Sequence, residues 1–134
     1  MGNIRKLGQR EFYVCFIPSV QGHPYDFFVD KNFKHILLLN KLDEQTTLVI
    51  DPLINSLEIL IKNKPVEKVI RQIKLIEGSK VIKYNKKLNE KKPWRFRGYY
   101  NCVTQTKLVL NIWSWSLTPK QLYNYLLKDG GVEI

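Results

Sequence analysis

The alternation of apolar and polar positions predicts strands in the first two thirds of the chain. The segment 11–20 (EFYVCFIPSV) is predicted to be a strand because β-branched and aromatic residues dominate it until Pro18. The run at 34–40 (KHILLLN) is continuously apolar, as a buried strand is. Strands are predicted at 11–20, 34–40, 46–52, 56–63 and 79–85. We therefore expect an antiparallel sheet of about four to six strands.

A spacing of three and four between apolar residues predicts three helices, at 64–78, 101–112 and 117–131. Thr118 caps the last helix and Pro119 takes its first position. The inward-facing residues are predicted to be Val66, Val69, Ile70, Ile73 and Ile76 in the first helix, Val103, Thr106, Val109 and Leu110 in the second, and Leu122, Tyr125 and Leu126 in the third. The fold class is predicted to be α+β, a single domain over 1–134 with one helix between strands and two C-terminal helices.

Composition excludes several classes of protein. No apolar run reaches the roughly 18 residues that span a bilayer, and the start lacks an apolar signal region. The two cysteines do not form a disulfide framework, and no Cys/His cluster has zinc-ligand spacing. We expect no cofactor, no metal and no membrane span. The predicted location is the host-cell cytoplasm or a virion, without secretion by a signal peptide.

The net charge of +10 points to an anionic neighbour, and much of it is concentrated in one segment. From 83 to 97 there are seven basic residues and one acid. Aromatic rings interleave with cations there, the combination that binds single-stranded nucleic acid. The alternative is a solvated loop whose rings pack under the helices. The candidates for nucleic-acid or interface contact are Lys91, Lys92, Trp94, Arg95, Phe96 and Arg97.

Cys102 is a candidate nucleophile because it stands at a predicted helix start. Asn101 is a good cap, so Cys102 takes the first helical position, where free amides and the helix dipole stabilise a thiolate. A catalytic cysteine also needs a base and a group that orients this base. The alternative is a small buried residue without chemistry.

The predicted hairpin supplies the other two groups. His35 opens the strand at 34–40, and Asp51 ends the strand at 46–52, which we expect to stop at Pro52. A three-residue loop places the two directly opposite each other, and a five-residue loop places them diagonally on one face. A four-residue loop without a bulge separates them, so an odd loop or a bulge is required. His23 is the alternative base.

The order His35, Asp51, Cys102 resembles the circularly permuted papain-like cysteine enzymes of the NlpC type, which include the lecithin retinol acyltransferase-like proteins. The stretch NCVTQTKLVL is similar to the Asn-Cys-x-x-Phe-Val helix start of that branch, although Gln105 replaces its aromatic residue. The stretches NCVTQTKLVLNI and LTPKQLYNYLL also resemble the ends of small phage proteins of unassigned role. The resemblance implies a permuted papain-like fold and a Cys-His-Asp triad.

Two functions are therefore expected from the sequence. The first is a papain-like cysteine hydrolase or acyltransferase, of peptidase or amidase type, acting on a peptide or acyl substrate, or an inactive descendant of one. Cys102 would attack the carbonyl, His35 would transfer the proton and Asp51 would fix the imidazole tautomer. The alternative is a small basic viral structural or binding protein that contacts nucleic acid or a protein assembly.

Overall fold

The structure is a computed structural model that describes residues 11–18, 35–53, 56–85, 102–110, 112 and 114–134. Six strands form one antiparallel sheet, in the order β4-β3-β2-β1-β5-β6. The strands are β1 (Glu11–Ile17), β2 (His35–Asp43), β3 (Thr46–Leu53), β4 (Ser56–Lys62), β5 (Lys80–Asn85) and β6 (Val132–Glu133). The helices are α1 (Val66–Lys74), α2 (Cys102–Leu110) and α3 (Pro119–Lys128).

The predicted α+β class is confirmed, with one helix between strands and two helices near the C-terminus. The helices cover both faces of the sheet, so its central strands are buried on both sides. Within the described part of the chain, no helix combines the length and the apolar character that crossing a bilayer requires.

Two apolar clusters hold the helices against the sheet. Along a strand, alternate side chains leave on opposite faces, so β1, β2, β3 and β5 each contribute to both clusters. The cluster under α2 and α3 contains Phe12, Val14, Phe16, Ile36, Leu38, Ile50, Ile82, Tyr84, Val103, Leu110, Ile112, Leu122 and Leu126. The cluster under α1 contains Cys15, Leu39, Val49, Val66, Val69, Ile70, Ile73 and Val81. We call these sides of the sheet the α2 face and the α1 face.

The predicted inward faces of the helices agree with the structure for most residues. In α1, Val66, Val69, Ile70 and Ile73 are buried, whereas Ile76 follows the helix and is half-buried. In α2, Val103, Thr106 and Leu110 are buried and Val109 is half-buried. In α3, Leu122 and Leu126 are buried and Tyr125 is half-buried.

The ends of α3 show why this helix could be predicted from its sequence. The Thr118 side chain accepts a hydrogen bond from the Gln121 amide, and the Gln121 side chain accepts one from the Thr118 amide. After the helix, Gly130 adopts φ 96°, a backbone conformation that residues with a Cβ rarely take. A Cβ on Gly131 would lie 2.7 Å from a side-chain carbon of Ile82. The two glycines therefore direct the chain back to the sheet, where β6 pairs with β5.

Three details of the sheet differ from the prediction. The strand predicted at 34–40 continues as β2 to Asp43, into residues that were predicted to form a turn. The strand ending was wrongly placed at Pro52, because β3 continues to Leu53 and pairs with β4 through Pro52↔Leu57. Proline lacks one donor but keeps extended backbone angles, so a strand can pass through it where that donor is not needed. The short strand β6 was not predicted, since two residues carry no periodic pattern.

Candidate active site

The hairpin that presents His35 and Asp51 contains a bulge, one of the two alternatives that the prediction required. β2 and β3 pair through Leu38↔Ile50 and Lys41↔Thr47, and the register shifts between Lys41 and Asp43. If this register is extended by one residue beyond the Leu38↔Ile50 pair, Asp51 lies opposite Leu37, which is two residues from His35. The structure therefore has the diagonal arrangement rather than the directly opposed one.

The ladder between β2 and β3 ends before the strands do. In the described residues its last pair is Leu38↔Ile50, while β2 stays paired with β1 to His35 and β3 stays paired with β4 to Leu53. The two central strands thus separate at one end, and each keeps its outer neighbour. We call the space between residues 35–37 and 51–53 the strand gap.

An imidazole–carboxylate pair bridges the strand gap. The distance from His35 Nε2 to Asp51 Oδ1 is 2.6 Å, and both side chains are about one third exposed, at 34% and 27%. With the ring in this orientation Asp51 engages Nε2, so Nδ1, the nitrogen nearer the main chain, is the one that can face a nucleophile. Asp51 is therefore placed to select the tautomer and orientation of the ring.

The thiol of Cys102 lies at the same gap. The backbone amides of Ile36, Cys102 and Val103 lie near its sulfur and lower the pKa of the thiol. Burial has the larger effect and, together with the charge of Asp51, raises that pKa to about 11. The resting group is therefore a thiol at neutral pH, and it needs a base before it can attack.

The structure brings the three predicted residues to one place but does not join the sulfur to the imidazole. Within the described residues, no hydrogen bond links Cys102 Sγ to the His35 ring. Ile36 packs on the α2 face, whereas Ile17, the strand partner of His35, packs on the α1 face. Alternation along β2 therefore directs the imidazole to the α1 face, and it approaches the gap from the side opposite to the sulfur.

A buried lysine in α2 was not predicted from the sequence. Lys107 is 2% exposed, and its Nζ donates to the carbonyls of Ser114 at 3.0 Å and Ser116 at 2.9 Å. Burial lowers the pKa of this amine. It ties α2 to the segment before α3 and so fixes the helix whose first residue is Cys102. One sequence feature could have indicated this burial. The segment 101–112 has a single charged residue, as expected for a helix surrounded by protein.

Several predicted residues lie outside the described part of the chain. These are the six loop candidates Lys91, Lys92, Trp94, Arg95, Phe96 and Arg97, the alternative base His23, and the cap Asn101. Among the residues that the structure describes, no group of three or more His, Cys, Asp or Glu side chains could hold a metal ion.

The chain was compared with protein-family models, curated proteins and solved structures, and it matches none of them at a significant level. The resemblance to permuted papain-like enzymes accordingly stays a prediction that depends on the residues named above.

Proposed function

We propose that this protein is a cysteine hydrolase or acyltransferase of the peptidase or amidase type. Cys102 is the nucleophile, His35 is the general base and Asp51 orients the imidazole. The observation that carries the proposal is that the His35–Asp51 pair bridges the strand gap while the Cys102 sulfur lies beside the Ile36 amide on the other side of the same gap. Along the chain the three residues follow the order His35, Asp51, Cys102, with 67 positions between the first and the last, and this order resembles that of the permuted papain-like branch.

The proposed reaction requires the His35 side chain to swing through the strand gap toward the α2 face, which brings Nδ1 to Sγ. His35 then removes the proton from Cys102 as the sulfur bonds to the carbonyl carbon of an amide or ester. The Cys102 amide at the helix start donates to the developing oxyanion. His35 returns the proton to the leaving amine or alcohol, and a thioester remains on Cys102. Water or a second nucleophile, activated by the same imidazole, releases the acyl group.

The test is formation of an acyl-enzyme from an activated ester such as p-nitrophenyl acetate. We expect a mass increase of about 42 Da, the net change when one acetyl group replaces the thiol hydrogen, that peptide mapping assigns to Cys102 and that then decays by hydrolysis. Cys102→Ala should abolish it, and Cys15→Ala is the matched control that should retain it. Acetylation that is unchanged in Cys102→Ala, or absent from the wild type, would contradict the proposal and favour an inactive descendant of such an enzyme.

The net charge of +10 favours a second candidate, a basic viral structural or binding protein that contacts nucleic acid or a protein assembly. Its proposed contacts are the aromatic and basic residues of the 91–97 segment. Binding to single-stranded DNA should weaken steeply with salt, since each phosphate contact releases counterions. Absence of binding at low salt would reject nucleic acid as the partner.

A further inference from the structure

We propose that the protein forms a twofold-symmetric dimer in which the β4 strands of two copies pair antiparallel. β4 is the last strand in the sheet order, and among the described residues it pairs only with β3. Its outer edge therefore offers a row of backbone donors and acceptors to a second strand. The opposite end of the sheet is protected differently, because β6 has only two residues.

The side chains of β4 are apolar and exposed on both faces of the sheet. Leu57, Ile59 and Ile61 are 41%, 59% and 65% exposed on one face, and Leu60 is 46% exposed on the other. An edge strand of seven residues with this composition and no proline is the kind that soluble proteins normally cover. A second strand of the same composition would continue both faces of the sheet.

The charges of β4 identify the occupant as a second copy of the same chain. In an antiparallel pair centred on Leu60, Glu58 lies opposite Lys62 of the second copy, and Ile59 lies opposite Ile61. Twofold symmetry repeats each of these pairs. The strand therefore complements itself in both charge and apolar surface.

The surroundings of Glu58 within one copy support this register. In the ladder between β3 and β4, Glu58 pairs with Asp51, which places two acidic residues side by side. Neither Glu58 nor Lys62 forms an ion pair within the described residues. Like charges directly opposite each other destabilise a sheet, so a lysine from the second copy would offset this repulsion.

Charge reversal tests the register. We expect the wild type to be dimeric by sedimentation equilibrium and the single variants Glu58→Lys and Lys62→Glu to raise the dimer dissociation constant at least about tenfold, since each replaces two attractions by two repulsions. The double variant Glu58→Lys/Lys62→Glu should restore the wild-type value to within about threefold. Leu75→Thr, at an exposed leucine after α1, is the control that should change nothing.

A wild type that stays monomeric at about 100 μM would overturn the proposal, given that weak interfaces associate in this range. So would association that is insensitive to both single reversals, since this points to non-specific contact through the apolar side chains. A double variant that folds, as judged by circular dichroism, but stays as weak as the single variants would reject the Leu60-centred register.

Disulfide trapping provides a second test on the same strand. In this register Leu60 faces Leu60 of the second copy, at the Cα separation of about 4.5–5.5 Å that suits a disulfide. In a Cys102→Ala background, mild oxidation should cross-link Leu60→Cys within the dimer. Leu57→Cys has a similar exposure but opposes Asn63, so it should remain uncross-linked. Equal cross-linking of both variants, or of neither, would contradict the register.

Discussion

The interior of β1 around Cys15 and the start of α2 around Cys102 hold two thiols in different surroundings. Cys15 is fully buried among apolar side chains, its thiol donates to the Tyr13 carbonyl at 3.8 Å, and burial raises its pKa to about 12. Cys102 is half-buried, and three backbone amides near its sulfur, those of Ile36, Cys102 and Val103, act to lower the pKa of its thiol. A raised thiol pKa is thus common to both cysteines, and only the neighbouring groups distinguish them.

The largest expected effect is on the rate of acyl-enzyme formation, and it comes from a group near Cys102 that Cys15 lacks. His35→Ala should lower the rate of acyl-enzyme formation about 10²–10⁴-fold, because the buried thiol loses its base. Stopped-flow measurement of p-nitrophenol release provides the rate. A rate within about twofold of wild type, in a variant with unchanged circular dichroism, would remove His35 from the mechanism.

Asp51→Asn should reduce the same rate by a smaller factor, about 10–100-fold, since the ring keeps its base but loses the anion that orients it. The matched control is Asp43→Asn, whose carboxylate accepts from the Gln45 amide at the exposed end of the same hairpin. An equal loss in both variants would indicate damage to the hairpin instead of loss of orientation.

Native-state alkylation sharpens the comparison of the two thiols. Cys102 should react with iodoacetamide about a hundredfold faster than Cys15, which requires local opening of the sheet before any reagent can reach it. Mass spectrometry of peptides at timed intervals gives both rates. Faster labelling of Cys15 would contradict its burial.

Substitution of the less reactive thiol, Cys15, should reduce the stability of the protein more than substitution of Cys102. Cys15→Ser should cost about 1–3 kcal/mol of unfolding free energy by placing a hydroxyl in an apolar cluster. Cys102→Ser, at a half-buried position beside three amides, should cost less than about 1 kcal/mol because the hydroxyl can accept from the same amides. Urea denaturation measures both variants.

The last prediction is a loss of stability in base. Both thiols have a folded pKa above the ordinary value of 9.0, so the folded state keeps protons that the unfolded chain releases. The unfolding free energy should therefore fall as pH rises above about 9. Cys15→Ala should make this decline shallower, and an unchanged slope would contradict the raised pKa of Cys15.

Local patterns predicted most of the fold. The α3 helix could be located to within two residues at its start, because Thr118, Pro119 and Gln121 are a self-contained signal. The passage of β3 through Pro52 could not be predicted from the sequence. It depends on whether a neighbouring strand would need a hydrogen bond from the backbone N–H that proline lacks. The two-residue strand β6 depends on where α3 delivers the chain, which is a tertiary property.

The sequence suggested which residues to consider for the candidate site, but not how the structure arranges them. His35 and Asp51 share one face of the sheet because side chains alternate with a period of two along a strand. This result needed an odd loop or a bulge in the hairpin, and the structure has a bulge. The separation of β2 and β3 and the Ile36 amide beneath the sulfur involve backbone groups that carry no sequence signal. The buried position of Lys107 was missed because a lone lysine is normally solvated.

The most direct test is the pH dependence of Cys102 alkylation in a Cys15→Ala background, with and without His35→Ala. If His35 serves the sulfur, alkylation near pH 7 should be at least about tenfold faster with the imidazole present, and the two profiles should converge toward pH 11, where the thiol ionises unaided. Superimposable profiles across the whole range would show that the imidazole never reaches the sulfur, and the catalytic assignment would be wrong.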